Sequence, residues 1–264
     1  MSHFSLEDHW PTGLVWRASD GERAGTLLTQ ATGHATLDEV LPGGGWPVGE
    51  LVEVLQVQPV GADWQLVMPA LVQRQQQSLR EGHAAWAGSV VLINPVHPPF
   101  TPAWEDAGLD TSRVVWLHPP QPQACAWAAE QALQCADVVA VMAWLPHATA
   151  PVLRRLQHMA AQSRCLLWVF RPASCAVQAS PAPLRLEVSV SSAESSAVPA
   201  LDVRVLKRRG LPCTGVVTLP WVCSQVPQAL QAQREFSARR RSSAQEYRHE
   251  PTPLDGVGSA TVAA

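Results

Sequence analysis

The rhythm of hydrophobic and polar positions changes near residue 180. Before it, short apolar runs at 50–55, 89–93, 113–117, 138–144 and 165–170 are separated by longer polar stretches. Continuous apolar runs of this length read as strands buried on both faces of a parallel sheet. The stretches at 64–77, 101–108, 123–134 and 150–163 read as helices; the last sets Leu153, Leu156 and Met159 on one side and Arg154 and Arg155 on the other. A shorter helical piece at 35–40 and two Gly/Pro-punctuated loops, 42–49 and 56–63, frame the first strand. After residue 180, apolar and polar residues alternate at 184–190, 201–206 and 215–219, with Lys207-Arg208-Arg209-Gly210 between the last two. That alternation reads as antiparallel strands at a sheet edge. The whole pattern predicts an α/β fold: a mostly parallel sheet, helices on both faces and an antiparallel edge hairpin. The predicted body spans 30–222. An arm, 1–29, precedes it, and an extension, 223–264, follows, helix-prone from 225 to 246 and then small and polar, the composition of a disordered tail.

Composition narrows the function classes. With 264 residues, 47% of them hydrophobic and 16% charged, the chain can bury a full core. A net charge of −3 argues against a domain that grips duplex DNA by itself, so any DNA contact is expected to be indirect or weak. The opening MSHFSLEDHW has no basic segment followed by an apolar one, and the longest apolar run, 138–145, falls short of the ~20 residues that span a bilayer. A cytoplasmic protein without membrane contact is the expectation. The six cysteines (Cys125, Cys135, Cys165, Cys175, Cys213, Cys223) form no C-x-x-C pair, which favours reduced, mostly buried thiols over a metal site. Eleven tryptophans against one tyrosine point mainly to core packing, although Trp46, Trp64 and Trp104 also suit the lining of a cleft.

The chemistry-bearing region is 31–63. A phosphate-binding loop needs Gly-x-x-x-x-Gly-Lys-Ser/Thr, so that backbone N–H groups cradle phosphates, the lysine neutralises them and the hydroxyl holds magnesium. Thr32, Gly33, Leu37, Asp38, Gly43 to Gly45, Pro47, Gly49 and Glu53 stand in the order and spacing of the recombinase RecA and its relatives. The chain resembles that family over 31–61 and, in weaker pattern, to about residue 221. The resemblance implies a degenerate nucleotide site. Gln56 stands at the first loop glycine, Gly61 is kept, Ala62 replaces the lysine and Asp63 the hydroxyl, where a carboxylate repels a triphosphate. Pro59 removes a cradle N–H. Met142 stands at the metal-binding acid and Val96 at the water-activating acid. No catalytic residue, cofactor or metal is therefore expected. The segment 37–47, with Val15-Trp16-Arg17 and 49–53, is similar to the ImuA family of accessory proteins. That similarity implies a non-catalytic adaptor in SOS-induced, error-prone translesion DNA synthesis. Its implied protein partners are an inactive Y-family-like polymerase of the ImuB type, an error-prone α-subunit-type DNA polymerase, and RecA. The alternatives are a SulA-type SOS inhibitor acting on a tubulin-like division protein, and a P-loop ATPase with an atypical site.

Two basic clusters remain. Lys207, Arg208 and Arg209 lie on the hairpin tip, and Arg239, Arg240 and Arg241 in the extension. They read either as solvated charge or as local contacts to an acidic partner or phosphate. His97, after the strand at 89–93, has no nucleophile, metal pair or acidic partner in its local sequence and reads as structural. Gly43 to Gly45 read as a loop that needs left-handed backbone before Trp46-Pro47.

Overall fold

The computed structural model describes residues 27–58, 63–80, 88–191, 200–213 and 215–220. The chain divides into two units, Met1–Val222 and Cys223–Ala264. The second unit, with the predicted helix-prone stretch and Arg239 to Arg241, lies outside the described residues, as do positions 1–26. The first half of the body runs β1 (Thr29–Gln30), α1 (Ala35–Asp38), β2 (Trp46–Pro47), β3 (Leu51–Gln56), α2 (Asp63–Arg80), β4 (Ser89–Ile93), α3 (Thr101–Asp106) and β5 (Val114–Leu117). It continues with α4 (Pro122–Gln134), β6 (Val138–Trp144), α5 (Ala150–Gln162), β7 (Leu166–Pro172), β8 (Leu184–Val190), β9 (Ala200–Lys207) and β10 (Val216–Pro220).

Eight strands form one sheet in the order β10-β9-β8-β3-β7-β6-β4-β5. The six from β8 to β5 are parallel, and β9 and β10 complete an antiparallel edge hairpin. The fold is thus the α/β architecture expected from the pattern. β4, β6 and β8 have the predicted bounds, while α2 is longer at both ends than the predicted 64–77. The two-stranded pairing of β1 with β2 was not anticipated, because two residues carry no periodicity; it also places Thr29, assigned to the arm, in a strand.

Alternating side chains serve the two faces of the sheet. One face buries Val52, Val54, Met142 and Trp168 against Leu66 and Leu71 of α2 and Trp104 of α3. The other buries Leu51, Val141 and Val169 against Leu133 of α4 and Leu153 and Leu156 of α5. On α5, Ala160 is fully buried and Met159 only partly, while Arg154 and Arg155 are exposed as the spacing predicts.

A charged cluster interrupts the second face. Glu53, at the middle of β3, is fully buried and accepts from Arg171 Nη1 of β7 at 2.6 Å and Arg185 Nε of β8 at 2.7 Å. Other guanidinium hydrogens reach the loops that cross above, while Arg171 Nε is buried without a hydrogen-bond partner. Arg171 donates to the Ala148 carbonyl at 2.9 Å and to Gln178 Oε1 at 2.8 Å. Arg185 donates to the carbonyls of Cys175, at 3.0 Å, and Ala176, at 3.2 Å. Both acceptors belong to the 3-10 turn Ala173–Val177, which carries the chain from β7 over β3 to β8.

Helix α2 contains Pro69. Proline has no N–H, so the carbonyl of Gln65, four residues back, loses its helical donor. His34 Nε2 lies 3.1 Å from that carbonyl. A carbonyl only accepts, so Nε2 carries the hydrogen. Gly33 makes the approach possible: its φ is +84°, and a Cβ there would lie 2.3 Å from Pro69 Cβ. Burial lowers the His34 pKa below 6.5, against the opposing effects of the Gln65 bond and Asp38.

Glu53→Ala leaves two buried guanidinium groups unmatched and should cost about 3–5 kcal/mol in chemical denaturation. Glu130→Ala removes the pair between half-buried Glu130 and exposed Arg155 and should cost about 1 kcal/mol or less. His34→Ala should cost about 1–3 kcal/mol through the orphaned Gln65 carbonyl, and clearly less in a Pro69→Ala background that restores the N–H. Above pH 6.5 the imidazole is neutral in both states; as pH falls through 6.5 the unfolded chain binds the proton first. Stability should therefore fall with pH from 6.5 downward, and more steeply in the wild type than in His34→Gln.

Candidate functional site

In open α/β sheets, ligands bind beyond the carboxyl ends of the parallel strands. Here that end is reached by β3, β7 and β6, with α2 following β3 and α3 following β4. Gln56 closes β3, buried, opposite Pro172 and Val188. Pro59, Gly61 and Ala62 lie outside the described residues, and Asp63 opens α2.

Four aromatic rings from four elements meet at this end. The Trp64 ring, in the first turn of α2, is 4.1 Å from Trp104 of α3 and 6.0 Å from Trp144, the last residue of β6. Trp144 stacks on Phe170 of β7 at 4.5 Å and 15°. Trp104, Trp144 and Phe170 are buried, and Trp64 is half-buried. The sequence reading grouped Trp46 with Trp64 and Trp104, and the structure separates them. Trp46 lies fully buried, edge-on to Trp168 at 5.7 Å. Trp168 pairs with Met142, whereas Trp144 pairs with Phe170. Met142 and Trp168 are thus two residues, roughly 7 Å, deeper than the strand-end cluster. On this face, the β6 position nearest the strand end is Trp144, not Met142. Trp144 and Phe170 escaped the sequence reading because strands buried on both faces show no parity.

The other candidate residues are dispersed. Val96 is exposed on the loop after β4, with His97 half-buried beside it. That loop opens with Asn94 at φ 54°, whose N–H donates to the Leu117 carbonyl at 2.9 Å. Lys207, Arg208 and Arg209 stand at the opposite end of the sheet, level with the starts of β3 and β8. All three are engaged within the chain. Lys207 donates to the Ser180 carbonyl at 3.0 Å, and Arg208 to the carbonyls of Leu211, at 2.7 Å, and Val40. Arg209 pairs with Glu50 at 2.6 Å, a carboxyl that burial pushes up and Arg209 pulls down.

Of the cysteines, Cys125, Cys165 and Cys175 are buried, Cys213 is half-buried and Cys135 is exposed, so burial is less general than expected; Cys223 lies outside the described residues. Burial pushes the Cys165 thiol up to about 11, which keeps it protonated and unreactive. Among the described residues, no group of three or more His, Cys, Asp or Glu could hold a metal ion, and no helix is long and apolar enough to cross a membrane. In the glycine loop, Gly44 has φ +73° with open space around it, whereas a Cβ on Gly45 would meet the Gln30 carbonyl at 2.3 Å across the β1–β2 pair.

No protein-family model matches the chain, and no curated protein matches it. Fold and site define an α/β protein whose strand-end position is occupied by packed aromatic side chains.

Trp104→Ala should therefore behave as a core truncation, costing about 3–5 kcal/mol in denaturant unfolding. Trp127→Ala, on the exposed face of α4 at 62% exposure, should stay within about 0.5 kcal/mol of the wild type.

Proposed function

We propose that this chain is a non-catalytic adaptor of SOS-induced, error-prone translesion DNA synthesis, related to the RecA core and of the ImuA type. One observation carries the non-catalytic part: Trp64, Trp104, Trp144 and Phe170 pack together at the strand ends, where the resemblance puts the nucleotide. Aromatic rings packed on one another offer a triphosphate neither the cations nor the metal ligands it requires. The sequence at the loop agrees, with Gln56, Ala62 and Asp63 in place of glycine, lysine and hydroxyl. The parallel sheet with its edge hairpin is compatible with the resemblance, and 138–144 and 166–170 fall on the interior strands β6 and β7.

The function is then association. The partners in this reading are an ImuB-type inactive Y-family polymerase, an error-prone α-subunit-type polymerase and RecA, in the cytoplasm, with DNA reached mainly through them. A frame that keeps the recombinase's packing surfaces without its ATPase offers a physical route to binding RecA.

Calorimetric titration with magnesium-ATP should give no binding heat in the micromolar range, and Ala62→Lys with Asp63→Thr should not create ATP turnover. Pull-down with the three partners should retain at least one. Micromolar ATP affinity or turnover above background overturns the non-catalytic reading. Capture of a tubulin-like division protein, with none of the polymerase-side partners, replaces it with the SulA-type reading.

A further inference from the structure

β5 closes one edge of the sheet, and among the described residues it pairs with β4 alone. The Leu117 carbonyl accepts from Asn94 on the β4 side. Within a strand, successive residues direct their N–H and C=O groups to opposite sides, so those of Val114 and Trp116 face outward. An open edge of this kind recognises another extended strand.

The side chains of this edge are as bare as its backbone. Val115 stands beside Val91 on the α4 side and is 44% exposed; Trp116 stands beside Leu92 on the other side and is 48% exposed. β5 is short, four residues, but Val-Val-Trp-Leu contains no lysine, proline or bulge, which are other devices that blunt an edge. The nearest charges are already matched, Arg113 pairing with Asp110 at 2.9 Å. Pro119 and Pro120 end the strand's ability to pair further along.

We propose that β5 is the contact between two copies of this chain, paired antiparallel about a twofold axis perpendicular to the sheet. The strand suits a second copy for a definite reason. Such an axis keeps like faces together, so residues opposite one another must share parity. In the register centred on Trp116, outward-facing Trp116 exchanges backbone hydrogen bonds with Trp116 of the second copy. Val115 then meets Leu117 of the second copy on the α4 side, and the two indoles meet on the other. Self-pairing sets a charged residue against its own kind near the axis; β5 has none. The two sheets become one continuous sheet.

The full chain should show a monomer–dimer equilibrium in sedimentation velocity over a concentration series. The amides of Val114 and Trp116 should gain hydrogen-exchange protection as the dimer forms. Trp116→Lys places two ammonium groups at the axis and should weaken association about tenfold or more, with the melting temperature of the monomer unchanged. The Cα atoms of such a pair lie about 5.5 Å apart, within disulfide reach. Trp116→Cys should therefore form a covalent dimer on oxidation, and Trp127→Cys and the wild type should not. If Trp116→Lys does not fold, amide protection and the cysteine pair decide. A monomer at every concentration overturns the proposal, as does a dimer equally strong in Trp116→Lys. So does β5 protection that appears only when another protein is added, which would make the edge a site of strand addition by a partner.

Discussion

A carboxylate at the middle of the central strand has to be matched by cations, and Glu53 is matched twice, once from each neighbouring strand. Burying an ion costs several kcal/mol unless its partners are well placed and their own hydrogens are used. The requirement therefore propagates. Arg171 and Arg185 must sit at fixed heights on β7 and β8, which holds three parallel strands in one register. Their outer hydrogens need acceptors, and the carbonyls of Ala148, Cys175 and Ala176 supply them. The crossover from β7 to β8 is thereby tied down onto β3. An all-apolar trio would pack as well and accept slips more readily.

The strand-end site depends on that register. With β3 and β7 aligned, Phe170 stands opposite Val54 and Trp144, and Trp144 is presented to the first turn of α2. Trp64 then lies between Trp144 and Trp104. Further along α2, the Gly33–His34 segment fits the gap that Pro69 opens in the hydrogen-bond ladder. This same segment is part of the stretch on which the proposed relation to the recombinase core rests. In this chain it has a local physical task that needs no nucleotide.

The surface divides into regions of different character. The basic hairpin turn is held by its own chain, with its three cations bonded to Ser180, to Leu211 and Val40, and to Glu50. At that turn the charge is already set against acceptors of the same chain. The opposite edge has the reverse character. At β5, backbone groups and apolar side chains face outward together, and covering them releases water without breaking a bond.

The sequence by itself determined element types, the parallel body and the antiparallel hairpin. These rest on periodicity within a few residues, and Val138–Trp144 and Leu184–Val190 carry that signal locally. That 56–63 does not carry the Gly-x-x-x-x-Gly-Lys-Ser/Thr pattern was legible in the same way, as a motif is contiguous. Tertiary structure alone decided which residues meet. Glu53 lies 118 and 132 positions from its two arginines, and no local pattern links them. Met142 and Trp144 share one face of β6, so alternation cannot tell them apart; which of them stands at the strand end follows from where β6 stops and how it pairs with β7. The basic turn looked free in sequence because its acceptors are backbone carbonyls and one distant glutamate, and a carbonyl leaves no mark on the amino-acid sequence.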